Sequence, residues 1–281
     1  MPNTRMMRIR LLAAILFSAT MAARAEAQFR PADPAPAETF HVELGLMFWK
    51  PTPGIEIQTG GLAALGIPPV DLAHEFDLAD ERFIEFRSAV KAGRKHKFRV
   101  AHVAFDYNTQ TTLERTISFG GVTFPVTVPV TADLNWDLWR FGYEWDFVAG
   151  DRGLLGLITE LKQNHLTADL SATGFGAQAT DVTAPIVTLG GLVRIYPHRS
   201  FSVTAEYTGF KVFGLVRTLT DRIAEDLEAK ASDFDIYGTI NFGSYAGAQF
   251  GYRSVSTEYS VDEDEGDLKM NGLYFGGLVR F

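Results

Sequence analysis

The last ten residues, GLYFGGLVRF (272–281), alternate: Leu273, Phe275, Gly277, Val279 and Phe281 fall on one face of an extended chain, and Tyr274, Gly276, Leu278 and Arg280 on the other. An apolar-faced strand that runs to the terminal residue constrains the fold more than any other feature here. Its backbone donors and acceptors need partners, and chain termini fray unless they are tied down. A sheet that closes by pairing its last strand with its first meets both demands.

The same period of two recurs along the chain. HVELGLMFW (41–49) sets Val42, Leu44, Leu46 and Phe48 against His41, Glu43, Gly45 and Met47, and RFIEFRSAVK (82–91) sets Ile84, Phe86 and Val90 against Glu85, Arg87 and Lys91. Gly93 in the next turn suits a two-residue type II′ hairpin, after which a strand runs from Lys97 to about Ser118. In DLNWDLWRFGYEWDFV (133–148), Trp139, Phe141, Tyr143, Trp145 and Phe147 alternate with Arg140, Gly142, Glu144 and Asp146. LLGLITELKQ, PIVTLGGLVRIY, FSVTAEYTGF, DFDIYGTINF, YAGAQFGYRS and the terminal strand bring the count to ten. Tight turns follow every second strand, and longer segments, about 50–81, 116–127, 172–180, 214–231 and 261–268, join the other ends. An even number of strands with short turns on one side and long loops on the other predicts an all-β, antiparallel up-and-down transmembrane barrel, with eight strands as the alternative count. A soluble sandwich also alternates, but strands of 10 to 20 residues exceed its usual five or six.

The other terminus agrees. Arg5, Arg8 and Arg10 precede the apolar run Leu11–Ala23, which is followed by Ala-Arg-Ala and Ala-Glu-Ala. This predicts a signal peptide over 1–27, because the run is too short for the roughly 20 residues of a spanning helix. A Pro/Ala-rich lead-in over 28–37 then precedes a barrel domain at 38–281. Removing residues 1–27 takes away four Arg and Glu26 and leaves 22 basic against 33 acidic residues, a formal charge near −11. So acidic a chain is a poor nucleic-acid ligand. Cysteine is absent, which excludes disulfides and cysteine-linked lipid.

The leader and the ending Leu273, Phe275, Gly277, Val279, Phe281 resemble those of Gram-negative outer-membrane β-barrel proteins. The resemblance implies residence in the outer membrane, contact with the lipid bilayer and lipopolysaccharide, and recognition of Leu273, Phe275, Val279 and Phe281 by the barrel-assembly machinery. Gly277 stands where a bulky apolar residue is preferred. Aromatic residues near strand ends, Trp49, Trp145, Phe147, Phe201, Phe242 and Phe281, fit interfacial girdles.

On the inner face, a Gly93-Arg94 turn places Glu85 opposite His102, and a turn centred on Ser244 places Asp235 opposite Arg253. With Glu43, Arg87, Arg140, Glu144, Glu160, Lys162, Arg194 and Glu206, these predict a lumen of mixed charge. Ten strands make a barrel only slightly wider than one that side chains fill. A paired, filled lumen with a structural or interaction role is the first expectation. A narrow pore for small solutes is the second.

A hydrolase is the third. Ten-stranded omptin proteases use Asp and His near the outer rim, and lipid A deacylases use His and Ser, but no complete motif of either family is present. His165, with Asp133 or Asp137 on the neighbouring strand, is the rim candidate, although its parity with Leu155, Leu157 and Leu161 points it outward. No catalytic residue, cofactor or metal site is assigned. VDEDEGD (261–267) lacks the alternating ligand spacing of a calcium loop. Leu219, Ile223 and Leu227 predict a short amphipathic helix in the loop before the eighth strand. The basic KAGRKHK turn (91–97) faces the side of the tight turns, within reach of phospholipid headgroups.

Overall fold

The computed structural model describes residues 36–281 apart from 59–68, 115, 120–121, 126–127, 175, 212–227 and 262–263. A short 3-10 turn (Pro36–Glu38) leads into β1 (Val42–Gln58), a two-residue strand β2 (Val70–Asp71), a one-turn helix α1 (Leu72–Glu75), β3 (Phe83–Lys91) and β4 (His96–Thr112). A small hairpin of β5 (Ile117–Phe119) and β6 (Val122–Phe124) precedes β7 (Pro129–Gly150), β8 (Gly153–Ala172) and β9 (Gly176–His198). Then come β10 (Phe201–Lys211), β11 (Glu228–Phe242), β12 (Ala246–Val261) and β13 (Asp264–Arg280).

β1, β3, β4 and β7 to β13 each pair antiparallel with the next of that set, and β13 pairs back onto β1; β2 adds antiparallel to β1, and β5 pairs with β6. The result is a closed ten-stranded barrel. Its seam runs from Glu43 opposite Arg280 to Gln58 opposite Glu265. The terminal residue fastens its lower end: the Phe281 carbonyl accepts from the N–H groups of His41 (2.6 Å) and Val42 (3.0 Å), and its own N–H donates to Val42 (2.8 Å). Gly276 lets the two strands approach, because a Cβ there would collide with the Leu46 carbonyl and with Met47.

Strand lengths divide the barrel into two storeys. β3 has 9 residues and β10 has 11, about what a tilted strand needs to cross a bilayer, whereas β7, β8 and β9 have 22, 20 and 23. The long strands change polarity halfway. Low on β7, Trp139, Phe141 and Tyr143 face outward and Arg140, Glu144 and Asp146 inward; higher up, Val130, Ala132, Leu134, Trp136 and Leu138 are buried inside while Thr131, Asp133, Asn135 and Asp137 face out. β8 repeats this, with Leu155, Leu157 and Leu161 outward below, and Leu166, Ala168 and Leu170 inward above. The lower storey is therefore inside-out, as hydrocarbon demands, and the upper one has the polarity of a water-soluble domain.

Above Phe83, where β3 stops, β1 becomes an edge that carries Pro51 and Pro53, and a strand tolerates proline at such a position. The walls β4-β7-β8-β9 and β11-β12-β13-β1 rise past the short strands and bury an apolar core between them. Ile55, Ile57, Val255, Leu268 and Met270 from one wall meet Phe105, Tyr107, Leu134, Trp136 and Leu166 from the other. Leu72 and Phe76 of the α1 segment and Phe124 of the small hairpin cap this core.

Several expectations are corrected. Lys91 pairs with Lys97, so the first tight turn is wider than Gly93-Arg94 and Gly93 has no positive φ. The one-residue shift puts Val103 opposite Glu85 and turns His102 to the outer face, out of the lumen. Trp49 is not a girdle residue; it is fully buried in the lumen. The segments at 172–180 and 261–268 are hairpin ends rather than long loops, since Ala172 pairs with Gly176 and Val261 with Asp264. Residues from Glu228 onward belong to β11 rather than to a helix. The rest of the expected amphipathic helix, like the leader at 1–27, lies outside the described residues.

Candidate functional site

The inward parity of ten strands gathers charges from distant parts of the chain into the lower storey. Asp233 is their hub. It accepts from Arg253 Nε at 3.0 Å and Nη2 at 2.8 Å, from Lys162 at 2.7 Å and from Arg140 at 3.1 Å. Glu85 binds the same two arginines, Arg253 at 2.5 Å and Arg140 at 2.9 Å, and reaches Arg87 at 2.7 Å. Arg87 passes the chain to Asp235 at 3.0 Å, whose other contact is the Tyr274 hydroxyl at 2.8 Å. Glu160 takes Lys162 at 3.3 Å.

A second group lies toward the tight turns. Lys97 touches Glu144 at 2.7 Å, Asp146 at 3.0 Å and Glu38 at 3.2 Å. Arg99 bridges Glu144 at 3.1 Å and Glu206 at 2.7 Å, and Tyr237 donates to Glu206 at 2.7 Å. Arg194 binds Glu38, Thr204 and Tyr237, and Arg280 binds Glu43 at 2.6 Å. Nine acids (Glu38, Glu43, Glu85, Glu144, Asp146, Glu160, Glu206, Asp233, Asp235) thus meet nine bases (Arg87, Lys91, Lys97, Arg99, Arg140, Lys162, Arg194, Arg253, Arg280), so the ion-paired interior is formally neutral. Low dielectric makes each pair strong and each unpaired charge costly, which favours complete matching.

The set expected from sequence stands in this interior apart from His102, and Asp235 does lie opposite Arg253 in register. Direct contact reassigns the partners, however: Arg253 binds Asp233 and Glu85, while Asp235 binds Arg87. Asp233, Asp146, Lys97, Arg99, Glu38, Lys91 and Arg280 were missed. Asp233 shares a face with Asp235, so DFDIY carried that signal. Lys97 and Arg99 were hidden by the misplaced turn, although Phe98 and Val100 already marked the opposite face as outward.

Aromatic rings roof the charge layer. Trp49, fully buried, lies under the Arg253 guanidinium at 5.0 Å and meets Phe105 at 5.4 Å; Phe105 in turn meets Phe83 at 5.0 Å and Trp136 at 5.1 Å. Residues 37–40 form the floor. Ala37 packs on Tyr196, Phe40 lies under Lys91 and Arg280, and Glu38 receives Lys91, Lys97, Arg194 and the Tyr196 hydroxyl. Burial alone would raise the Glu38 carboxyl, but Lys97, Arg194 and Lys91 hold it well below the ordinary carboxylate range. Between roof and floor, the charge layer encloses a cavity of only about 60 Å³.

On the outer face, His102 stacks on Trp139 at 4.1 Å and pairs with Asp137 at 3.0 Å. His165 pairs at 3.0 Å with Asp181, rather than with Asp133 or Asp137. Both His-Asp pairs stand on the convex wall where its polarity inverts, and the His165 side chain is 46% exposed. Leu273, Phe275, Val279 and Phe281 also face outward, along β13. Among the described residues, no group of three metal-ligating side chains converges, and the acidic run 261–267 is described only in part.

No family model matches the chain, and no curated protein matches it in sequence. Solved structures do match in fold. The outer membrane protease OmpT from Escherichia coli aligns over 90% of this chain and 99% of its own, with a TM-score of 0.51 and 10% identity. The attachment invasion locus protein Ail of Yersinia pestis (86% and 100% covered, TM-score 0.36, 10% identity) and the toluene transporter TodX of Pseudomonas putida (89% and 93%, 0.35, 8%) match more loosely. The fold is that of an outer-membrane β-barrel.

Proposed function

We infer that this protein is an integral barrel of a Gram-negative outer membrane, exported by its leader, whose lumen is a structural plug and whose work is done by the surface it raises above the bilayer. One observation carries the reading: the interior holds a formally neutral network of ion pairs below and an apolar core above. A conduit needs groups that bind a solute loosely, whereas these charges bind one another. In this reading the tall walls offer their polar outer surface to lipopolysaccharide and extracellular partners. The barrel-assembly machinery is the expected partner in biogenesis, through the β13 strand. Planar-bilayer recording of the refolded protein tests the reading. Silence in the unmodified protein and in an Asp235→Ala, Arg253→Ala variant is expected, and steady conductance in the unmodified protein would make it a narrow pore instead.

A hydrolytic reading draws on the His165-Asp181 pair, since a histidine oriented by a carboxylate is the core of many general bases. No hydroxyl nucleophile adjoins it among the hydrogen bonds of the described residues, and it sits on a convex wall rather than in a cleft. Cleavage of a fluorogenic peptide or release of acyl chains from lipid A, abolished by His165→Ala, would replace the non-enzymatic reading with this one.

A further inference from the structure

We propose that the mouth on the tight-turn side binds an uncharged sugar, in a recess whose wall carries an unanswered carboxylate oxygen. The recess has a volume of about 450 Å³, the size of a small-ligand pocket, and opens between the 91–95 turn and the turn that follows β7, with Phe40 and Leu154 in its wall. Its rim is held by backbone bonds: the N–H of Lys91 to His41 (2.7 Å), of Ala92 to His96 (3.0 Å) and of Asp146 to the Lys95 carbonyl (2.8 Å).

Asp146 is the anomaly. It is only 1% exposed; its Oδ2 takes Lys97 at 3.0 Å, and its Oδ1 has no hydrogen-bond donor among the described residues. A buried acceptor left unpaired opposes folding, so a chain keeps one where a donor arrives from outside. Gly156 keeps space beside this oxygen, because a Cβ there would stand 3.0 Å from Oδ1. The charges around the recess decide what the donor belongs to. Lys91, Arg94 and Lys95 oppose a cation, and the carboxylates of Asp146 and Glu38 in the same wall oppose an anion. An uncharged hydroxyl satisfies Oδ1 without adding a charge of either sign. Arg94 and Lys95, which can only donate, then give to other oxygens of the same molecule, and Phe40 and Leu154 offer apolar wall to its C–H face. Hydroxyls that donate and accept around one apolar ring are the chemistry of a sugar, and a free sugar and a unit of a glycan strand share it.

The test uses the refolded protein in lauryl dimethylamine oxide micelles, which contain no sugar, titrated with N-acetylglucosamine, its 1-phosphate and glucosamine, binding being read by saturation-transfer NMR. N-acetylglucosamine should bind, and its anionic and cationic relatives should bind at least tenfold more weakly; this comparison needs no variant. Asp146→Asn removes the anionic acceptor while Glu38 and Glu144 still hold Lys97, and Gly156→Ala narrows the space beside Oδ1. Each should weaken binding at least tenfold. A chitotetraose that binds at least tenfold more tightly than the single sugar would identify a glycan strand as the ligand, and equal binding would identify a free sugar. Absence of N-acetylglucosamine binding would overturn the proposal and leave a proton shared with Glu144, two residues away on the same face, as the partner of Oδ1. Equal binding by either variant, or tighter binding of either charged relative, would overturn it as well.

Discussion

Asp233 holds three cations at once, and this makes it the residue whose loss the lower storey tolerates least. Asp233→Ala leaves Arg140, Lys162 and Arg253 crowded around an empty centre, with only Glu85 and Glu160 to balance the three of them. Stranding buried charge in this way typically costs about 3–5 kcal/mol. Denaturant unfolding in micelles should show a loss of that size, larger than for Asp137→Ala on the exposed outer wall. Glu38 acts on a smaller part. Because its carboxyl is held below the ordinary 4.5, its contribution to docking residues 37–40 is fully present above that value and is lost as the pH falls through the depressed one. Glu38→Gln removes the charge at every pH. Proteolysis between residues 28 and 40 at pH 7 should then be at least tenfold faster than in the unmodified protein, and an unchanged rate would mean that Ala37 and Phe40 hold the lead-in without the ion pairs.

Strands close this barrel at one seam and change polarity along their length, and each property is testable by itself. At the seam, deleting Phe281 removes three backbone bonds to His41 and Val42, and Gly276→Val drives a branched side chain into β1. Both variants should fail to acquire the compact, heat-modifiable band that closed barrels show on unboiled gels. Higher up, Trp136 fills the apolar core, and its indole N–H donates to Asn164 at 3.1 Å. Trp136→Ala should cost about 3–5 kcal/mol by emptying that volume. Hydrogen exchange should localise the damage to the upper halves of β4, β7 and β8 and leave their lower halves protected, because the storeys have separate interiors. Uniform loss of protection would show that they fold as one.

Taken whole, the molecule is a short membrane barrel carrying a tall, soluble-type double wall. The lower storey buries its charges inside and shows apolar residues to lipid, and the upper storey does the reverse. In the proposed reading this arrangement seals the interior from floor to roof and leaves recognition to the outer surface and the mouths. The conductance prediction belongs at this scale, because in that reading no single pair gates a path across both layers. An Arg253→Ala, Asp233→Ala, Glu85→Ala variant that hollows the charge layer should still be silent while the Trp49, Phe83, Phe105 and Trp136 layer remains.

The local pattern by itself determined the alternation and the closure and narrowed the strand count to ten or eight, since each depends only on period, turn chemistry and the need for every strand to have two neighbours. It also put most of the inward charges on the right face. Tertiary structure alone decided who binds whom. Arg253 stands opposite Asp235 in register and yet binds Asp233, because an inward arginine is long enough to choose among several strands. One residue of slip at the first turn was enough to send His102 outward and to hide Lys97 and Arg99. The polarity inversion was legible only as paired apolar neighbours such as Leu138-Trp139 and Phe48-Trp49, where two alternations of opposite sense meet, and a single parity applied along a whole strand passes over such points. Whether a buried charge is answered, as at Asp233, depends on side chains brought together from across the barrel.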